Sequence, residues 1–147
     1  TVKELEEVKK IINISGLQRS PTFKLWMMVE IPSNVILLED FIKAGIDGVS
    51  IGSNDLTMLL LGTDRDNSEV ASEFSELNPA VMWAFERVIK TARKNGISAS
   101  ICGQAVSMYP ALVEKLVSWG VTSVSISPDA ADSTRKLISD TEKKVIN

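Results

Sequence analysis

The chain has 147 residues, 44% of them hydrophobic and 24% charged, with a formal net charge of -3. That describes one ordinary globular domain with room for a substantial core, and without a basic cluster it excludes a nucleic-acid footprint. No apolar run approaches the ~18–20 residues of a membrane span, one cysteine excludes an internal disulfide, and the absence of histidine excludes a His-based triad, a His-ligated zinc site and a phosphohistidine within these residues.

Val2, Leu5, Val8, Ile11 and Ile12 recur at helical spacing and predict a helix over Val2–Ile12, with Gly16 as its C-cap. Because this pattern begins at once after Thr1, with no initiator methionine, the chain is expected to be a piece of a longer polypeptide. No signal peptide is present, so a cytoplasmic protein is expected. A polar loop, Gln18 to Thr22, leads to a strand over Phe23–Val29 that is apolar on both faces apart from Lys24, as a parallel strand covered by helices would be. Pro32 stops it, and Ser33 or Asn34 can cap a helix over Val35–Lys43.

A second strand, Gly48–Ile51, opens onto Gly52-Ser53-Asn54-Asp55 and an apolar helix from Leu56 to Leu61. The segment Gly62–Glu76 is polar, charged and aperiodic and reads as a surface loop or flap. Asn78-Pro79 starts a long helix, Ala80–Lys94, ended by Asn95-Gly96. A third strand, Ile97–Ile101, ends at Cys102-Gly103-Gln104. A helix from Tyr109-Pro110 to Trp119, closed by Gly120, precedes a fourth strand, Thr122–Ile126. Ser127-Pro128-Asp129 then caps a last helix from Ala130 to about Val145. A leading helix followed by β-α four times over predicts an α/β fold with a parallel sheet. Two architectures fit: an open doubly wound sheet, or part of a TIM (β/α)8 barrel. A barrel takes ~250 residues, so this chain would supply its C-terminal half. The leading helix, with no strand before it, favours that half-barrel.

Strand ends in such folds collect ligands, and three of them carry chemistry here: Glu30, the Gly52-Ser53-Asn54-Asp55 stretch and Cys102. Each has a plainer alternative. Glu30 can pair with a lysine, Asn54-Asp55 can form an Asx cap, and Cys102 can be a small buried hydrophobe. Taken together, two carboxylates on adjacent strand ends suit Mg²⁺, which commonly takes one or two protein carboxylates and completes its shell with substrate oxygens and water. The methionines Met27, Met28 and Met58 read as core packing, and Arg65 and Asp66 as solvated, with a phosphate or lid role as the minority reading.

Five motifs occur in one order: Met28-Val29-Glu30-Ile31-Pro32-Ser33-Asn34-Val35, Ser50-Ile51-Gly52-Ser53-Asn54-Asp55-Leu56-Thr57, Asp64-Arg65-Asp66, Asn78-Pro79-Ala80-Val81 and Ile101-Cys102-Gly103-Gln104. As a set they resemble the C-terminal phosphoenolpyruvate/pyruvate-binding barrel of the PEP-utilising enzyme family, in its phosphoenolpyruvate synthase (pyruvate, water dikinase) branch. The resemblance implies Glu30 and Asp55 as Mg²⁺ ligands. It also implies Gly52, Ser53 and Asn54, together with those two acids, as the pyruvate or phosphoenolpyruvate site, and Cys102 as the proton donor. It further implies ATP-grasp and phosphohistidine domains outside this chain, and a first half of the barrel that brings phosphate-binding arginines. The sequence departs from the family pattern at Ala105-Val106-Ser107-Met108, where Gly-Pro-Ser-Asp is usual, and at Ser127, where Asn is usual.

The expected activity is therefore Mg²⁺-dependent phosphoryl transfer to pyruvate in the longer enzyme, with the isolated chain not competent and, given its open sheet edges, a homo-oligomer. Two alternatives stay open: another 2-oxo-acid or phosphoenolpyruvate barrel enzyme of lyase type, and a non-catalytic half-barrel that serves as an interaction module.

Overall fold

The computed structural model describes residues 1–17 and 22–146. The polar loop expected at Gln18–Thr22 therefore lies, except for Thr22, outside the described residues. Among the described residues eight α-helices and four strands follow in the order α1 (Val2–Ile14), β1 (Trp26–Val29), α2 (Pro32–Ile36), α3 (Leu38–Lys43), β2 (Gly48–Gly52), α4 (Ser53–Leu61), α5 (Pro79–Lys94), β3 (Ser98–Cys102), α6 (Ala105–Met108), α7 (Pro110–Trp119), β4 (Ser123–Val124) and α8 (Ala131–Ile146). Single turns of 3-10 helix at Ala71–Glu73 and Pro128–Ala130 precede α5 and α8. Among the described residues no helix is long and apolar enough to cross a membrane.

The sheet is parallel, and its spatial order, β1-β2-β3-β4, is the order of the sequence. Right-handed crossovers that always step the same way put every connecting helix on the same face. A doubly wound sheet needs a reversal of direction, and the four described strands contain none. The side chains obey this. Val29, Val49, Ile51, Ala99 and Ile101 point into the helices and are buried, with Leu56, Val81, Phe85, Val88, Ile89, Leu112 and Leu116 packed above them. The opposite face carries Trp26 and Met28, Ser50, Ser98 and Ser100, and Ser123. Trp26 and Met28 are 41% and 42% exposed, so β1 is not covered on both faces as its composition suggests, and Met28 is not core. One layer of helices on one side of an open sheet leaves the other side bare.

Local chemistry sets the element ends. Thr1 and Glu4 form a capping box at the start of α1, and Val2 and Leu5 pack against the core, yet Val8, Ile11 and Ile14 of the same helix are exposed. Pro32 does not only stop β1: it is the first residue of α2, so Ser33 and Asn34 lie inside that helix rather than capping it. The single helix expected over Val35–Lys43 is two short ones meeting at Leu37. Asn78 caps α5 as expected, its side chain accepting from the Ala80 N–H at 2.9 Å. Asp47 fastens the start of β1, accepting from the Leu25 N–H at 2.7 Å. Strand β4 is shorter than its apolar run, but Thr122 N–H donates to Ala99 O at 2.8 Å and Ser125 N–H to Ile101 O at 2.9 Å, so the pairing reaches beyond it on both sides.

Helix α5 shows the contrast between the two sides of the helical layer. Phe85 is fully buried, while Trp83, two residues before it, is 57% exposed and carries the Arg87 guanidinium over its ring at 5.8 Å. Truncating a core aromatic removes its transfer free energy and leaves a cavity, so Phe85→Ala should cost about 3–5 kcal/mol. Trp83→Ala forfeits mainly the cation–π contact and should cost about 0.5–1 kcal/mol. Urea unfolding of the two variants beside the parent chain checks the difference.

Candidate active site

Parallel register brings the three strand ends level. Val29 pairs with Ile51 and Gly52 with Cys102, so Glu30, Gly52 and Cys102 fall in one row across β1, β2 and β3. Alternation puts that row on the bare face, one step beyond Met28, Ser50 and Ser100.

The half-buried Glu30 directly follows β1, and its backbone N–H lies 3.5 Å from Asn34 Oδ1. Its side chain crosses the end of β2. Glu30 Cγ and Oε1 lie 2.7 and 2.9 Å from where a Cβ on residue 52 would stand. Gly52 is therefore required here for close approach, since any side chain would displace the carboxylate. Ser53, Asn54 and Asp55 are not a loop before a helix, as the sequence suggests, but the first turn of α4 itself. No side chain caps that turn, so the Asx-cap alternative does not hold. Asp55 is exposed, Asn54 half-buried and Ser53 fully buried.

Cys102 is half-buried on the bare face. Ser50 Oγ donates toward its Sγ at 3.6 Å, and the thiol in turn reaches Ile51 O at 3.5 Å. Both protonation states thus have a partner: Ser50 for a thiolate, Ile51 O for a thiol. The turn behind it is tight. Gly103 has φ +105, and a Cβ there would meet Ser53 Oγ and, at 3.2 Å, Asn54 Oδ1. Beyond it, Ser107 Oγ accepts from the Ser127 N–H at 3.1 Å and ties the loop after β3 to the loop after β4. Ser127 makes no side-chain cap of its own.

The segment read as a solvated flap supplies part of this rim. Glu76 is 1% exposed and lies beside the Ser53 hydroxyl. With the Asn54 amide turned so that its nitrogen faces Glu76 Oε1 at 3.1 Å, its oxygen accepts from Arg65 Nη1 at 2.7 Å. The opposite orientation offers Oδ1 only 3.4 Å contacts to Ser53 Oγ and Gln104 N, so the first is preferred. Arg65 is exposed, as expected, and its guanidinium reaches the rim through the turned Asn54 amide. Glu76, Ser50 and this role of Arg65 escape sequence reasoning. Nothing in an aperiodic polar segment marks which acid turns inward, though Asn78-Pro79 two residues on does show that the chain re-enters the fold there.

Among the described residues no group of three or more Cys, Asp or Glu gathers as a metal cluster. Glu30 and Asp55 follow neighbouring strands, as the carboxylates around a hard divalent cation that takes its other oxygens from substrate and water would. Two open clefts of about 430 and 450 Å³ lie elsewhere, along Trp83 and Arg87 of α5 and beside β4. Both have ordinary surface linings and no link to this row.

Burial pushes the Glu76 carboxyl above its ordinary value of 4.5, while the Ser53 hydroxyl and the Arg65 charge pull the other way. Between 4.5 and that raised value the folded chain holds a proton that the unfolded chain has lost. The contribution is therefore fully present below pH 4.5 and is lost as pH rises through the folded value. Glu76→Gln should flatten the fall in stability across this window, which urea midpoints measured from pH 4 to pH 7 would show.

The chain matches the family described as "PEP-utilising enzyme, PEP-binding domain" over residues 1–143. It is 46% identical over 148 residues to the phosphoenolpyruvate synthase of Aeropyrum pernix, 40% over 143 residues to that of Pyrococcus furiosus and 39% over 146 residues to that of Helicobacter pylori. These alignments cover 99%, 97% and 99% of this chain but only 18%, 17% and 18% of the relatives. The chain therefore spans less than a fifth of the relatives' length. In fold it is similar to RipC from Yersinia pestis, with a TM-score of 0.61 over 87% of this chain and 57% of that one at 15% identity.

Proposed function

Because this chain belongs to the PEP-utilising enzymes, whose PEP-binding domain it matches along nearly its whole length, we propose that it forms the C-terminal half of a pyruvate/phosphoenolpyruvate barrel in a longer phosphoenolpyruvate synthase. The sheet order, four parallel strands stepping one way with helices on one side only, supports the half-barrel. The reaction is phosphoryl transfer from a phosphohistidine to pyruvate. That histidine, and the ATP that charges it, belong to other parts of the longer protein, since this chain has no histidine.

One observation carries the reading: Cys102 Sγ lies on the bare face in the same row as Glu30 and Gly52, with a partner for either of its protonation states. A methyl C–H bond of pyruvate breaks, its proton goes to the Cys102 thiolate, and its electron pair forms the C=C bond of the enolate. The enolate oxygen then takes the phosphoryl group as the P–N bond of the phosphohistidine breaks. Ser50 Oγ stabilises the thiolate before the transfer, and Ile51 O receives the thiol afterwards. Glu30 and Asp55 would hold Mg²⁺, which supplies charge neutralisation for the developing oxyanion. Gly52 and Asn54 line the three-carbon acid, and the fully buried Ser53 supports them from behind.

In the longer polypeptide Cys102→Ala should lower pyruvate turnover by roughly 10²–10⁴-fold while ATP-dependent histidine phosphorylation persists. Glu30→Gln should raise the Mg²⁺ concentration needed for half-maximal turnover. Equal loss of both half-reactions in Cys102→Ala would mark the cysteine as structural.

The isolated 147-residue chain lacks the other half of the rim and should show no turnover. Its bare face and edge strands should pair with a second copy. Sedimentation at micromolar concentration is expected to give a dimer or larger species, and a single monomeric boundary would refute that pairing.

A further inference from the structure

We infer that Glu76 is a positioning residue for the thiol-bearing turn, acting through Ser53 and Asn54. A carboxylate with 1% exposure has to find its donors inside the protein. Glu76 finds its donor at the start of α4, the Asn54 amide nitrogen at 3.1 Å, with the Ser53 hydroxyl beside it and, one step further, the Arg65 charge. These are the residues on which the turn after β3 rests. Gly103, at φ +105, packs against Ser53 Oγ and the Asn54 amide so closely that no Cβ fits between them. The order of support is therefore Glu76, then Ser53 and Asn54, then Gly103, then Cys102.

Ser53 is fully buried and cannot replace a lost acceptor with bulk water. Removing the acid frees the Asn54 amide to turn and lets go of Arg65 in the same step. The consequence for turnover rests on Cys102 being the proton-exchanging group, but the mechanical linkage does not depend on it.

Cys102 is the only cysteine in the chain, so alkylation by iodoacetamide, run dilute enough that copies of the chain do not pair, reports on this turn and needs no substrate. In the 147-residue chain, Glu76→Ala should speed alkylation by roughly five-fold or more, the scale of a broken hydrogen-bond network. Glu76→Gln keeps an acceptor for Ser53 and Asn54 and should stay within about two-fold of the parent. Phe41→Leu, a core change on α3, controls for general loosening and should also stay within about two-fold. An unchanged rate in Glu76→Ala, an equal rise in Glu76→Gln, or an equal rise in Phe41→Leu would overturn the assignment. Should circular dichroism find Glu76→Ala unfolded, Ser53→Ala cuts the same link from the other side, and an unchanged rate there overturns it. In the longer polypeptide Glu76→Ala should lower kcat for pyruvate more than it changes KM. Faster alkylation with kcat intact would keep the positioning role and sink the catalytic reading of Cys102.

Discussion

The structure depends on strand register. Val29, Ile51 and Ile101 share one row of the sheet, and the next row is Glu30, Gly52 and Cys102. Side chains alternate with a period of two, so a slip of one residue in β3 would turn the sulfur into the helical layer and push Ile101 onto the bare face. The hydrophobic pattern forbids this: Ala99 and Ile101 are both buried under helices and would have to change sides together. The same apolar burial that stabilises the core thus fixes, as a by-product, which polar groups meet at the rim.

Close approach is the second theme. Two glycines sit at the rim for different reasons: Gly52 because the Glu30 side chain occupies the place of its Cβ, and Gly103 because a positive φ and the nearness of Ser53 both exclude a side chain. Between them the first turn of α4 is clamped, from the sheet side by the turn after β3 and from the far side by the buried Glu76. A helix start with unpaired backbone N–H groups is held in place by neighbours rather than by its own cap.

The order of elements, the parallel sheet and the three strand-end residues could be read from the sequence because they rest on local signals. Apolar runs of strand length, Asn78-Pro79 and Gly120 announce themselves without tertiary information. The break in the helix at Leu37, the start of α4 at Ser53 and the extra short helix α6 were missed because each is decided by packing at a strand end, where propensity is weak. The exposed face of β1 was misread for a related reason. Trp26 and Met28 look like core residues, and composition cannot say whether the layer that would cover them belongs to the same chain. Glu76 is the clearest case. Its surroundings in sequence are polar and aperiodic, and only the Ser53, Asn54 and Arg65 groups that fold onto it make an internal carboxylate tolerable.

The sequential strand order has one more consequence. Among the described residues each strand hydrogen-bonds only to its neighbours in sequence, so the sheet can zip up unit by unit, each step closing only the loop of a single crossover. A cut through any one connecting helix would divide the sheet along a single seam into two contiguous peptides, neither interleaved with the other. Such an architecture suits growth by duplication and assembly from separately made pieces, because the joint between two pieces is the same kind of contact as every joint within them.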